Sequence, residues 1–152
     1  MNERTDRQEL AKCAEVAARC ACFNFRKAAR SVTQLFDGVL QPSGLQATQL
    51  SVLVALRLAG SATMTRLARE LVMDRTTLTR NLKPLEREGL VEIASGKDRR
   101  VRLVRLTPKG RWSLRQALPL WEKAQARVVA RLGSRRWRTL LDEISAAVAA
   151  TR

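Results

Sequence analysis

The sequence predicts a mainly α-helical chain with one small antiparallel β-hairpin and long helices at both ends. Three observations carry that reading. Apolar residues recur at three- and four-residue spacing through most of the chain. Only VEIAS (91–95) and VRLVRLT (101–107) break that period with β-branched runs, and GKDRR (96–100) lies between them. Glycine or proline marks most of the junctions between periodic stretches.

The elements follow in order. From Glu9 to Leu40 no glycine precedes Gly38 and the first proline is Pro42, so the spacing predicts one long helix. Its stripe is Leu10, Cys13, Val16, Ala17 and Cys20. The turn QPSG (41–44) ends it. A second helix runs from about Thr48 to Ala59, with Leu50, Leu53, Val54, Ala55 and Leu58 apolar, and stops at Gly60. Thr63 caps a short third helix, MTRLARELV, with Leu67 and Leu71 inward and Arg66 and Arg69 outward. After a few residues around Val72 and Met73, Asp74 caps DRTTLTRNLKPLEREG, whose Leu78, Leu82 and Leu85 fall at i, i+4 and i+7. Pro84 removes one N–H and crowds the Arg80 carbonyl, a cost of about 3 kcal/mol inside a regular helix. A bend there would leave residues 75–80 ahead of it undisturbed. Gly89 ends the helix.

The hairpin comes next, with Gly96 and basic residues at its tip; because Leu103 and Val104 are adjacent, it calls for a bulge or a strand with two apolar sides. Thr107-Pro108 then reads as the cap and first residue of another helix reaching about Leu132, bent at Pro119. Gly133-Ser134 separates it from a last helix whose face is Trp137, Leu140, Leu141, Ile144 and Val148.

Composition narrows the function. The 152 residues are one domain's worth of chain, 45% apolar and 28% charged. No apolar run reaches a membrane span of about 18 residues, and MNERTDRQEL has no signal-peptide h-region, so a cytoplasmic protein without a membrane partner is expected. Net charge is +15. Residues 75–115 hold twelve Lys/Arg against four acids, which is +8 in 41 residues. That concentration favours a nucleic-acid partner over a merely solvated surface. Histidine is absent, and there is no glycine-rich phosphate loop, metal motif or carboxylate cluster, so neither an enzyme, a cofactor nor a metal is expected.

Two short helices, the second basic, followed by a basic hairpin make the winged helix-turn-helix order. The long flanking helices are too apolar to be covered by so small a lobe and predict dimerisation through both ends of the chain. The expected organisation is an N-terminal dimerisation helix (1–45), a winged helix-turn-helix lobe (46–107) and C-terminal dimerisation helices (108–152), intertwined as one domain per chain.

Residues 74–110 resemble the MarR (multiple-antibiotic-resistance regulator) family of bacterial transcription factors. The shared signature is Thr79-Arg80, then Leu85-Glu86-Arg87-Glu88-Gly89-Leu90, Asp98-Arg99-Arg100, and Leu106-Thr107-Pro108-Lys109-Gly110. The resemblance implies a homodimeric regulator that binds a pseudopalindromic double-stranded operator, commonly represses, and lets go when a small molecule or oxidant acts on it. The residues point the same way. With the three leucines inward, Arg75, Thr76, Thr79, Arg80 and Lys83 face out, and Thr77 lies at the border. Short threonines let a helix seat deeply in a major groove, and Arg80 is the candidate for a bidentate guanine contact. Lys97, Arg99 and Arg100 at the hairpin tip would reach the flanking minor groove or backbone, with Asp98 orienting an arginine. The opposing readings are that Thr76 and Thr77 only cap the helix, that Arg80 pairs with an acid, and that the tip is an ordinary polar turn. A non-specific architectural nucleic-acid-binding protein is the alternative function.

Cys13, Cys20 and Cys22 are the candidate redox or ligand-sensing residues. CFNFRKAARSVTQLFDGVL (22–40) resembles the first-helix segment of the family's organic-hydroperoxide-sensing branch, which implies that Cys22 is the peroxide-reactive thiol. That branch holds its cysteine with tyrosine hydroxyls, and this chain has no tyrosine. Arg19 at i−3 and Arg26 at i+4 put guanidinium charge beside Cys22, a setting that favours thiolates. On one uninterrupted helix Cys20 and Cys22 point about 200° apart and Cys13 and Cys20 lie about 10 Å apart, which excludes a disulfide within it. Three readings stay open: small apolar packing, redox or electrophile sensing, and soft-ligand binding.

Overall fold

The computed structural model describes residues 3–95 and 101–151. It divides into two compact units, Met1–Leu35 and Phe36–Arg152.

In the first unit the expected single helix is two. Helix α1 spans Glu3–Arg19, and α2 spans Ala21–Leu40 and continues into the second unit. The break at Cys20 has a side-chain cause. The Asn24 carboxamide donates to the Ala17 carbonyl at 3.2 Å, where the Ala21 N–H of a continuous helix would bond; it also reaches the Cys20 carbonyl at 2.9 Å, which keeps its backbone bond from the Asn24 N–H at 3.1 Å. Arg19 therefore lies across the break from Cys22 and pairs with Glu15 at 3.9 Å, whereas Arg26 shares α2 with Cys22. The premise of one uninterrupted helix behind the cysteine geometry is corrected accordingly.

The second unit holds the core. Asp37, near the end of α2, accepts the Ala47 N–H at 2.7 Å and so caps α3 (Ala47–Ala59) from outside. Gln46 and Gln49 close a capping box on the same helix end. Helix α3 buries Leu50, Val52, Leu53 and Leu56. Leu58, expected on the apolar face, is 85% exposed, because it projects from the side opposite this set.

A three-residue strand, β1 (Ser61–Thr63), follows and was not expected. Thr63 then caps α4 (Met64–Glu70) by accepting the Arg66 N–H at 3.1 Å. Helix α5 (Arg75–Arg87) comes next, then β2 (Val91–Ser95) and β3 (Arg102–Leu106), in a sheet of order β1-β3-β2. The β2–β3 register runs without interruption from Val91 opposite Leu106 to Ser95 opposite Arg102. There is no bulge among these residues. Leu103 and Val104 are adjacent because β3 is the central strand with apolar contacts on two sides: Val104 is fully buried and Leu103 half-buried.

Helix α6 (Pro108–Leu132) is capped by Thr107 and continues through Pro119; α7 (Ser134–Ala150) follows Gly133, whose φ is 82°. Leu114 and Ala117 of α6 join the leucines of α3, α4 and α5 in one core. Each fully buried leucine contributes about 1.5–3 kcal/mol relative to exposure. On α7 the expected apolar face forms, but Leu140, Leu141, Ile144 and Val148 remain exposed in the single chain, as do Leu10, Phe23 and Phe25 in the first unit.

Candidate nucleic-acid interface

Helices α4 and α5 are joined by a turn with two interlocking hydrogen bonds. The Met73 N–H reaches back to the Ala68 carbonyl at 2.8 Å and the Val72 N–H to Arg69 at 3.3 Å. This Schellman geometry demands a left-handed residue, and the chain supplies Val72 at φ 52°, an exposed β-branched residue where glycine is favoured. Asn81 of α5 ties the turn down by donating to the Met73 sulfur at 3.6 Å.

The start of α5 is held by Asp74. Its carboxylate accepts the Thr77 N–H at 2.9 Å and the Thr77 hydroxyl at 2.6 Å. The hydroxyl bond first, and the N–H second, hold the Asp74 carboxyl below the usual carboxylate range. Leu78, Leu82 and Leu85 are all fully or almost fully buried against the core. Behind the helix, the Leu90 N–H bonds the Leu85 carbonyl at 2.8 Å and the Gly89 N–H bonds Glu86 at 2.9 Å, with Gly89 at φ 70°. Helix α5 is continuous through Pro84, which falls in its last turn and a half.

With that face fixed, the opposite face is set by 100° per residue. Thr76, Arg80 and Lys83 are exposed on it, Thr79 and Thr77 are exposed at its two borders, and Arg75 is exposed nearer the leucine side. Among the described residues no carboxylate pairs with Arg75, Arg80 or Lys83. The threonines divide. Thr77 spends its hydroxyl proton on Asp74, so the capping reading holds for it; Thr79 donates to the Arg75 carbonyl at 2.8 Å. No hydrogen bond engages the Thr76 hydroxyl among the described residues. Lys97, Asp98, Arg99 and Arg100 lie outside the described residues.

Arg87 was missed as a candidate. It is exposed, one turn past Lys83 and two past Arg80, on the same side of α5. Its i+4 and i+7 spacing was the available signal. Arg102, exposed at the tip end of β3, is a second basic residue of this kind. Arg105 is not free for a ligand: it grips Glu92 with Nε and Nη2 at 3.1 and 3.0 Å across the β2–β3 pair.

This arrangement can be placed among known proteins. A model described as "MarR family" matches residues 43–101. The M. tuberculosis transcriptional regulator MosR, solved in complex with DNA, is 43% identical over 87% of this chain and 98% of its own, with a TM-score of 0.75. The chain belongs to the MarR family.

Two further similarities show how far that membership extends. The transcriptional repressor CouR, solved bound to a 23-mer DNA duplex, is 26% identical over 88% of this chain and 95% of its own, with a TM-score of 0.79. YwoH of Bacillus subtilis, an uncharacterized HTH-type transcriptional regulator, is 37% identical over 81 residues, or 53% of this chain. The chain spans only 59% of the length of that curated relative. This MarR-family chain therefore has the winged-helix architecture of these regulators. No helix among the described residues is long and apolar enough to cross a membrane. The three cysteines are unpaired: Cys13 and Cys22 are exposed and Cys20 is half-buried.

Proposed function

We propose that the protein is a sequence-specific regulator of transcription that binds double-stranded DNA as a homodimer, at a pseudopalindromic operator, through α5 and the hairpin. One observation carries this reading. Thr76, Arg80 and Lys83 stand exposed on the one face of α5 that the leucines leave open, with Arg75 exposed beside it, and among the described residues no carboxylate pairs with the three cations. The capped start of α5 adds the positive end of a helix dipole. A helix of this kind fits a major groove about 12 Å wide, and Arg80 can read a guanine edge bidentately. Arg75, Lys83, Lys97, Arg99 and Arg100 serve phosphates. The exposed apolar faces of α7 and of the first unit are the surfaces a second copy would cover.

The regulator acts as a repressor, released by a small molecule or oxidant. An exposed Cys22 thiolate attacks the O–O bond of a hydroperoxide, giving a cysteine sulfenic acid and the corresponding alcohol after protonation. The test has two parts. DNA retained by the protein from its own genome is competed against random DNA at physiological salt; a specificity ratio near one would favour the architectural alternative. Operator release by a hydroperoxide is then compared with Cys22→Ser, where unchanged release removes the sensing role.

A further inference from the structure

The basic character of the chain does not end with the recognition lobe. Residues 123–138 contain Lys123, Arg127, Arg131, Arg135, Arg136 and Arg138 and no acid. All six are exposed, and none is paired with a carboxylate among the described residues. Lys123, Arg127 and Arg131 follow one another at i, i+4 and i+8 along one side of α6, and the other three open α7 immediately past Gly133. The first acids beyond them are Asp142 and Glu143.

Local helix physics accounts for only one of the six. Arg131 sits in the last turn of α6, where a cation offsets the negative end of the dipole. Arg135 and Arg136 sit in the first turn of α7, where the dipole opposes them, and no acid in that turn offsets the conflict. Residues that break a local rule without a compensating partner in the fold are those that serve something outside it.

Position separates this cluster from the first. Thr107, beside Gly89 and Leu90 at the end of α5, marks one end of α6; the Gly133 corner marks the other. The helix holds 25 residues, so at about 1.5 Å per residue the corner lies roughly 36 Å along it. That is about three major-groove widths, so the corner takes no part in the groove contact that α5 itself would make.

We propose that the α6–α7 corner is a second polyanion surface, which holds the phosphate backbone of a second DNA segment while α5 engages the first. Charge complementarity names the occupant: six cations without a specific acceptor geometry suit a regular array of phosphates, read without sequence choice. The proposal rests on the DNA-binding reading of α5, and the experiment separates the two.

A short duplex is tethered to beads and loaded with the full-length protein, and capture of a second, fluorescent duplex is measured. The wild type captures it. The combined variant Arg127→Gln, Arg131→Gln, Arg135→Gln, Arg136→Gln retains loading on the tethered duplex within about twofold and loses about tenfold or more of the capture, with a shallower salt dependence. A variant with Arg75→Gln, Arg80→Gln and Lys83→Gln loses loading on the tethered duplex; if it does not, the reading of α5 fails while the corner is still scored by capture. Equal capture by wild type and corner variant, or none by either, overturns the proposal. Two other results also overturn it. One is loss of the dimer in the corner variant by sedimentation, which assigns the arginines to contact between copies. The other is corner-dependent binding to phosphatidylglycerol vesicles without capture, which assigns them to a membrane.

Discussion

The hydroxyl of Thr107 donates to the Gly89 carbonyl at 2.6 Å, joining the residue that starts α6 to the residue that ends α5. The same oxygen accepts the Gly110 N–H at 3.0 Å, and the Thr107 N–H bonds the Leu90 carbonyl at 3.1 Å. Lys109 adds a bond from its Nζ to the Glu88 carbonyl at 2.7 Å. One short stretch thus orients α5 relative to the long helix behind it. This is the physical content of the Leu-Thr-x-x-Gly signature at 106–110.

Gly110 is the part of that joint that tolerates no change. A Cβ there would lie 1.9 Å from the Leu90 carbonyl oxygen and 2.9 Å from its carbon, both backbone atoms. Gly110→Ala must therefore push α6 away from Leu90. The expected loss is about 3 kcal/mol, at the upper end of overpacking costs. Urea unfolding measures it, and a loss under about 1 kcal/mol would show that the joint yields.

Val72 leads to the opposite expectation. A left-handed conformation costs an L residue with a Cβ about 1–2 kcal/mol, and Val72 is 60% exposed, so little packing repays it. Val72→Gly should raise the thermal midpoint by several degrees, equivalent to roughly 1 kcal/mol. A fall in the midpoint would mean that the isopropyl group packs more than its exposure indicates.

How much of this was legible depends on where the determinant lies. Leu78, Leu82 and Leu85 are readable because a buried helix face imposes its period on the chain, and Asp74 and Thr107 because caps occupy a fixed offset. Strand β1 is three residues long, too short for any period, and exists through its pairing with β3. The break at Cys20 carries neither glycine nor proline; the Asn24 carboxamide that takes the Ala17 carbonyl there lies seven residues along the chain from it. Leu58 fails because apolar identity says nothing about which of two adjacent leucine sets meets the core. Of the interface, the outward residues of α5 follow from the inward ones, while the commitment of the Thr77 hydroxyl to Asp74 is visible only in three dimensions.

That commitment makes the interface sensitive to acid. The Asp74 carboxyl is held below its usual range, so its ionised form is favoured in the folded state. The sign follows: the stabilisation is fully present above about pH 4, and is lost as pH falls through the lowered folded value. Asp74→Ala should lower the thermal midpoint at neutral pH and flatten its dependence on pH below about 4. Parallel curves for wild type and variant in that acidic range would remove Asp74 as the cause.

Arg80 and Lys83 stand one turn apart on α5, both exposed and, among the described residues, paired with no carboxylate, yet they should fail differently. Arg80 lies directly opposite the buried leucines, the position that the proposed reading turns toward the groove; Lys83 lies toward the edge that Arg75 and Thr79 share. Arg80→Ala should cost about 1–3 kcal/mol on the preferred operator and much less on random DNA, so the specificity ratio collapses. Lys83→Ala should weaken both equally and reduce the salt slope by about one. Binding curves on the two DNAs over a salt series distinguish them. If Arg80→Ala also lowered both affinities in parallel, Arg80 would be a phosphate contact and base reading would pass to Thr76, whose hydroxyl no group among the described residues engages.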